Sequence, residues 1–100
     1  MVEKYEVQVV QDSKTGIVCH EGWRLEGDLH RVGAPALIQR DSDTGVIFHE
    51  NWYQCGLLHR DNGPAEVIRD RKSGTIIQER YFRFGSEVEP NYGILDGPAI

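Results

Sequence analysis

The sequence predicts an all-β fold, a single antiparallel meander of three hairpin units that repeat at a spacing of 29. Three observations lead there. Residues of the same kind recur at that spacing along most of the chain. Between turn signals, apolar and polar residues alternate with the period of two that a strand requires. Glycine and proline interrupt nearly every window long enough for a helix, and no stretch shows a helical period.

The repeat reads directly from the residues. Asp12 to Gly16, Asp41 to Gly45 and Asp70 to Gly74 share the pattern Asp-x-x-Thr/Ser-Gly. Glu21, Glu50 and Glu79 keep the same spacing, as do Trp23, Trp52 and Tyr81, and then Gly27, Gly56 and Gly85. Leu29-His30-Arg31 returns as Leu58-His59-Arg60, and Ala34-Pro35-Ala36 as Gly63-Pro64-Ala65. Asp96-Gly97-Pro98-Ala99 reads as a third copy of the last motif, displaced by five positions. The expected organisation is one domain over 1–100, with an opening strand at 4–11, repeats at 12–40 and 41–69, and a divergent repeat at 70–100.

Each element has a local reason. The opening strand matches the returning half of a unit, because Val9, Ile38 and Val67 stand at the same repeat spacing from one another. Each Asp-x-x-Thr/Ser-Gly segment is a turn in which the Asp carboxylate bonds the backbone and Gly supplies positive φ. Val46 to Tyr53 then alternates, with Val46, Phe48, Glu50 and Trp52 on one face and Ile47, His49, Asn51 and Tyr53 on the other. Cys55-Gly56 reverses the chain and Leu57 to Arg60 runs back. Pro64 cannot donate to a ladder, so 61–64 bends the returning strand before 65–69 resumes it. With Cys55-Gly56 as a two-residue loop, Trp52 pairs with His59, and Trp23 likewise with His30. Glu50 and Glu21 lie diagonal to those rings. The expectation is a register-setting ladder of Trp23, His30, Glu21, Trp52, His59 and Glu50.

The string Trp-x-x-x-Gly-x-Leu-His-Arg-x-x-Gly-Pro-Ala, Trp52 to Ala65, resembles a repeat of small bacterial and bacteriophage proteins and is similar to the MORN repeat. The resemblance covers roughly residues 12–100. The first unit departs from it at Ala34, and the third lacks Leu-His-Arg. It implies hairpins stacked into an elongated twisted sheet, with a role in binding and assembly and no catalytic residues to carry over.

Composition narrows the function classes. Apolar residues are 39% and charged residues 27% of the chain, which fits neither a disordered acidic tail nor a membrane span. The start runs into alternating sequence without an apolar stretch of signal-peptide length, so a cytoplasmic location in a bacterial host is expected. Cys19 and Cys55 are too few for a disulfide-stapled domain and form no chelating motif, so reduced thiols are expected. His20, His30, His49 and His59 form two pairs, His20 with His49 and His30 with His59, each at the repeat spacing. Equivalent residues two strands apart are separated by roughly 9–10 Å, too far to share an ion bound at about 2 Å. No metal and no cofactor are expected, and no nucleophile–base pair or phosphate loop supports an enzyme.

The reading that remains is noncatalytic protein binding. A helix-free sheet leaves a face or an edge available, and the third unit is rich in aromatics (Tyr81, Phe82, Phe84 and Tyr92). The net charge of −5 suits a host protein or ribonucleoprotein complex with a basic surface. In size, acidity and lack of catalytic motifs the chain is similar to small phage or mobile-element inhibitors of host defence, anti-CRISPR proteins among them. The candidate contact residues are Tyr81, Phe82, Phe84, Glu87 and Glu89. The first alternative is a structural repeat that self-assembles through its sheet edges as a homodimer or larger species, which proline at Val7 or Val9 dissolves. A single-stranded nucleic-acid binder using Arg80 and Arg83 ranks third, against sixteen acidic residues.

Overall fold

The computed structural model describes residues 4–90. The displaced motif at 96–99, Tyr92 and the end of the divergent repeat lie outside the described residues. Among the described residues there is no helix, and so none long and apolar enough to cross a membrane. Ten strands follow one another: β1 (Tyr5–Gln11), β2 (Val18–Leu25), β3 (Asp28–Leu29), β4 (Leu37–Arg40), β5 (Ile47–Asn51), β6 (Tyr53–Gln54), β7 (Leu57–Leu58), β8 (Glu66–Arg69), β9 (Ile76–Arg83) and β10 (Ser86–Val88). Every pairing is antiparallel. The main sheet runs β1-β2-β4-β5-β8-β9-β10, with β3 paired to the far end of β2 and β6-β7 forming a small ribbon. The sheet is open and does not close into a barrel.

Turn chemistry sets the connections. Asp12, Asp41 and Asp70 each accept two backbone N–H bonds from the residues two and three positions on, at 2.7–3.0 Å. The glycine closing each turn has φ 80. The turns also touch one another, since Thr15 Oγ1 donates to Ser42 O at 2.9 Å and Thr44 Oγ1 to Arg71 O at 3.0 Å. At the opposite end, Glu26-Gly27, Cys55-Gly56 and Phe84-Gly85 are two-residue loops with both residues at positive φ.

Register fixes which residues share a face. Directly opposed residues point the same way, so Val9, Glu21, Ile38, Glu50, Val67 and Glu79 form one row across the sheet. Trp23, Ala36, Trp52, Ala65 and Tyr81 belong to the same face. The extents are 52 × 41 × 18 Å, and among the described residues no second layer covers either face. The buried aliphatics Ala36, Ile38, Ala65 and Val67 lie on the tryptophan face, where side chains of that face cover them.

Asp41 is buried where its counterparts Asp12 and Asp70 are not. It is 4% exposed, and besides its turn bonds it accepts from Arg71 Nε at 3.2 Å, with Lys72 Nζ at 3.8 Å. The N–H groups of Thr44 and then Asp43, assisted by Lys72 and Arg71, draw its carboxyl from 3.8 down to about 2. Because this value lies below the unfolded one, the stabilisation is complete above about pH 3.8 and is lost as the pH falls through about 2. In an acid titration followed by melting temperature, wild type should lose stability over that window more steeply than Asp41→Asn. Equal slopes would remove Asp41 from the acid transition.

Candidate functional site

The Leu-His-Arg segment acquires its roles from geometry. A two-residue loop with both residues at positive φ favours Asn, Asp or Gly at its first position, yet Cys55 (φ 50) and Phe84 (φ 48) stand there. Each is held by the preceding hairpin. His30 Nδ1 accepts the Cys55 N–H at 3.0 Å, and His59 Nδ1 accepts the Phe84 N–H at 2.9 Å. Leu29 O and Leu58 O accept the N–H groups of Gly56 and Gly85 at 2.9 and 2.8 Å. The Phe84 bond obliges Nδ1 to carry a lone pair, so Nε2 of neutral His59 is the donor to Asp61 Oδ1 at 3.0 Å. His59 is 4% exposed.

The arginines of the same segment face the tryptophans. The guanidinium of Arg31 lies 3.8 Å from the Trp23 ring centroid and that of Arg60 lies 3.7 Å from Trp52. Their Nη1 groups donate to Pro35 O and Pro64 O. Glu21 accepts from Trp23 Nε1 at 2.6 Å, from Arg40 at 3.3 Å and from Arg31 at 3.5 Å. The indole bond first, then Arg40 and Arg31, hold its carboxyl below the ordinary value against the effect of burial. Glu50 accepts from Trp52 Nε1 at 3.0 Å and from Arg69 Nη1 at 2.7 Å. The structure thus brings Trp23 to Glu21 and Trp52 to Glu50. The backbone N–H groups of His30 and His59 donate to Trp23 O and Trp52 O at 3.1 and 2.9 Å, but the ring Nδ1 of each bonds the next loop, and arginine takes the place beside the indole. The spacing of 25 from each histidine to the residue before the next loop glycine was the available signal.

The five candidate contact residues do not share one surface. Phe82 is 7% exposed and belongs to the core, so it cannot anchor a partner. Tyr81 is half-buried on the tryptophan face, opposite Val88. Glu87 is exposed on the other face, gripped by Arg80 Nε and Nη2 at 3.2 Å each, which holds its carboxyl below the ordinary value. Arg80 also donates to Glu66, and Arg83 lies 3.6 Å from Asp61, so both arginines of the nucleic-acid reading already hold carboxylates. Glu89 is exposed.

Phe84 is different. The residue is 62% exposed, yet its ring stacks on His59 with centroids 3.9 Å apart. Exposed Leu57 lies beside the same loop, 3.4 Å from where a Cβ on Gly85 would stand. Next to it opens a cleft of about 340 Å³ lined by Arg31, Trp52, His59, Arg60 and Asp61 among others. Among the described residues, no group of three or more His, Cys, Asp or Glu side chains is placed to hold a metal ion. Cys19 and Cys55 are free thiols, the first half-buried and the second exposed.

Comparison of the chain with known protein families, curated proteins and solved structures finds no match.

Proposed function

We propose that this chain is a noncatalytic protein-binding module, a sheet of three hairpin repeats with a MORN-like twist. It blocks the basic surface of a host protein or ribonucleoprotein complex in the bacterial cytoplasm, as a small phage or mobile-element inhibitor of anti-CRISPR type. The observation that carries this reading is Phe84. A bulky residue at φ 48 costs about 1–2 kcal/mol in backbone strain, which Asn or Gly would relieve. Here the strained position presents an exposed ring, and His59 fixes both its backbone and its face. Strained backbone positions cluster at binding sites. A rigid aromatic gives contact area with little further loss of freedom on binding.

Leu57 widens the apolar tip, while the net charge of −5 supplies attraction to a basic partner. The test compares the tagged wild type with Phe84→Asn in capture from a bacterial lysate with salt-step elution. Wild type should retain one basic complex, released by salt, and the variant at least about tenfold less, a loss of roughly one anchor. The variant should melt within about 5 °C of wild type, since relieved strain offsets the lost stacking. Equal recovery by both proteins, or recovery of the chain alone, would sink the proposal.

A further inference from the structure

We infer that copies of this chain associate head to tail, with β1 of one copy adding to the outer edge of β9 of the next. Among the described residues, both edges present backbone groups with no partner in the sheet. Trp23, opposite Val7, directs its N–H to Ala36 and its C=O to His30. By antiparallel alternation, Val7 and Val9 therefore point their own N–H and C=O groups away from β2. At the other edge, Arg80 O accepts from Ala65 N, so Glu79 directs its backbone groups away from β8. No described strand pairs with 76–80 on that outer side, since β10 reaches only 81–83.

The chain contains the template for the missing pairing. In the middle of the sheet the outer partner of Glu50 is Val67, and of His49 is Ile68. Glu79 and Gln78 stand one repeat after Glu50 and His49, while Val9 and Val10 stand two repeats before Val67 and Ile68. A second copy's Val9 thus falls opposite Glu79, and its Val10 opposite Gln78. Apolar surface is placed to match: Val7, Val9 and Val10 are exposed on one edge, Ile76 and Ile77 on the other. Such edges favour strand addition. The turns continue too. The second copy's Ser13 carbonyl takes the position toward Ser73 that Arg71 O takes toward Thr44, and its Lys14 approaches Asp70 as Lys72 approaches Asp41.

The contact is heterologous, so association continues past a dimer unless a ring closes. It stands apart from the Phe84 contact. The test uses the full chain with proline at the two outward-facing positions, where no bond within the sheet is lost. Sedimentation of wild type should show concentration-dependent species. Val9→Pro and Glu79→Pro should each keep the wild-type circular dichroism and raise the concentration for half-association at least about tenfold. Mixing the two should restore a dimer, because each retains the edge the other lacks. If Val9→Pro misfolds, Val9→Lys serves in its place, charging the edge without touching the backbone. Self-association of Glu79→Pro alone would overturn the inference in favour of a symmetric β1–β1 dimer. A wild type that stays monomeric across the concentration range would overturn it outright.

Discussion

Glu50→Ala is expected to lower the unfolding free energy by about 3 kcal/mol, a large share of what a domain of this size possesses. The Glu50 side chain is 13% exposed and joins the Trp52 indole to the Arg69 guanidinium. Removing it strands a half-buried cation and an indole N–H on a face that no second layer protects. Glu79→Ala supplies the control, since Glu79 occupies the same row but is exposed. It should change stability by less than about 0.5 kcal/mol. Urea denaturation of both variants measures the difference. A loss below about 1 kcal/mol for Glu50→Ala would mean that water replaces the carboxylate and the seam is superficial.

His59→Ala is expected to cost about 3 kcal/mol, from an unpaired Phe84 N–H, a cavity where the ring lay and the loss of the Phe84 stack. His59→Asn should recover about 1 kcal/mol, because Asn Oδ1 can reach the position of Nδ1 and accept the same bond. His30→Ala should cost less than His59→Ala, because His30 is only half-buried. Thermal melts of the three variants test the order. If His59→Asn were no better than His59→Ala, the bond to Phe84 would carry little of the effect.

The all-β character, the antiparallel pairing and all three Asp turns were legible because they are local. Asp-x-x-Thr/Ser-Gly carries its own acceptor and its own positive φ, and the placement of Cys55-Gly56 follows from one hairpin. The histidine contacts were not legible in that way. Which way His59 points depends on a loop in the following unit, and pairing within its own hairpin puts Trp52 nearest. The fate of the aromatic run was hidden for the same reason. Tyr81, Phe82 and Phe84 look alike as a string, but period two sends Tyr81 and Phe82 to opposite faces while the loop carries Phe84 outward. Asp41 resembles Asp12 and Asp70 in sequence, and only the arrival of Arg71 and Lys72 from the next turn buries it.

A sheet 18 Å thick, with no layer above or below it among the described residues, has a particular energetic grammar. Each hairpin draws its stability from itself and from the one beside it, as in a row of dominoes, and the few buried side chains are shared only between neighbours. Cooperativity then depends on the links between neighbours: the histidine that pins the next loop, the threonine that reaches the next turn, the arginine that spans to the next carboxylate. Cutting one such link uncouples the two sides of the cut without dissolving either. Melting of this molecule is therefore a fraying inward from its margins, with β4, β5 and β8 the last to let go.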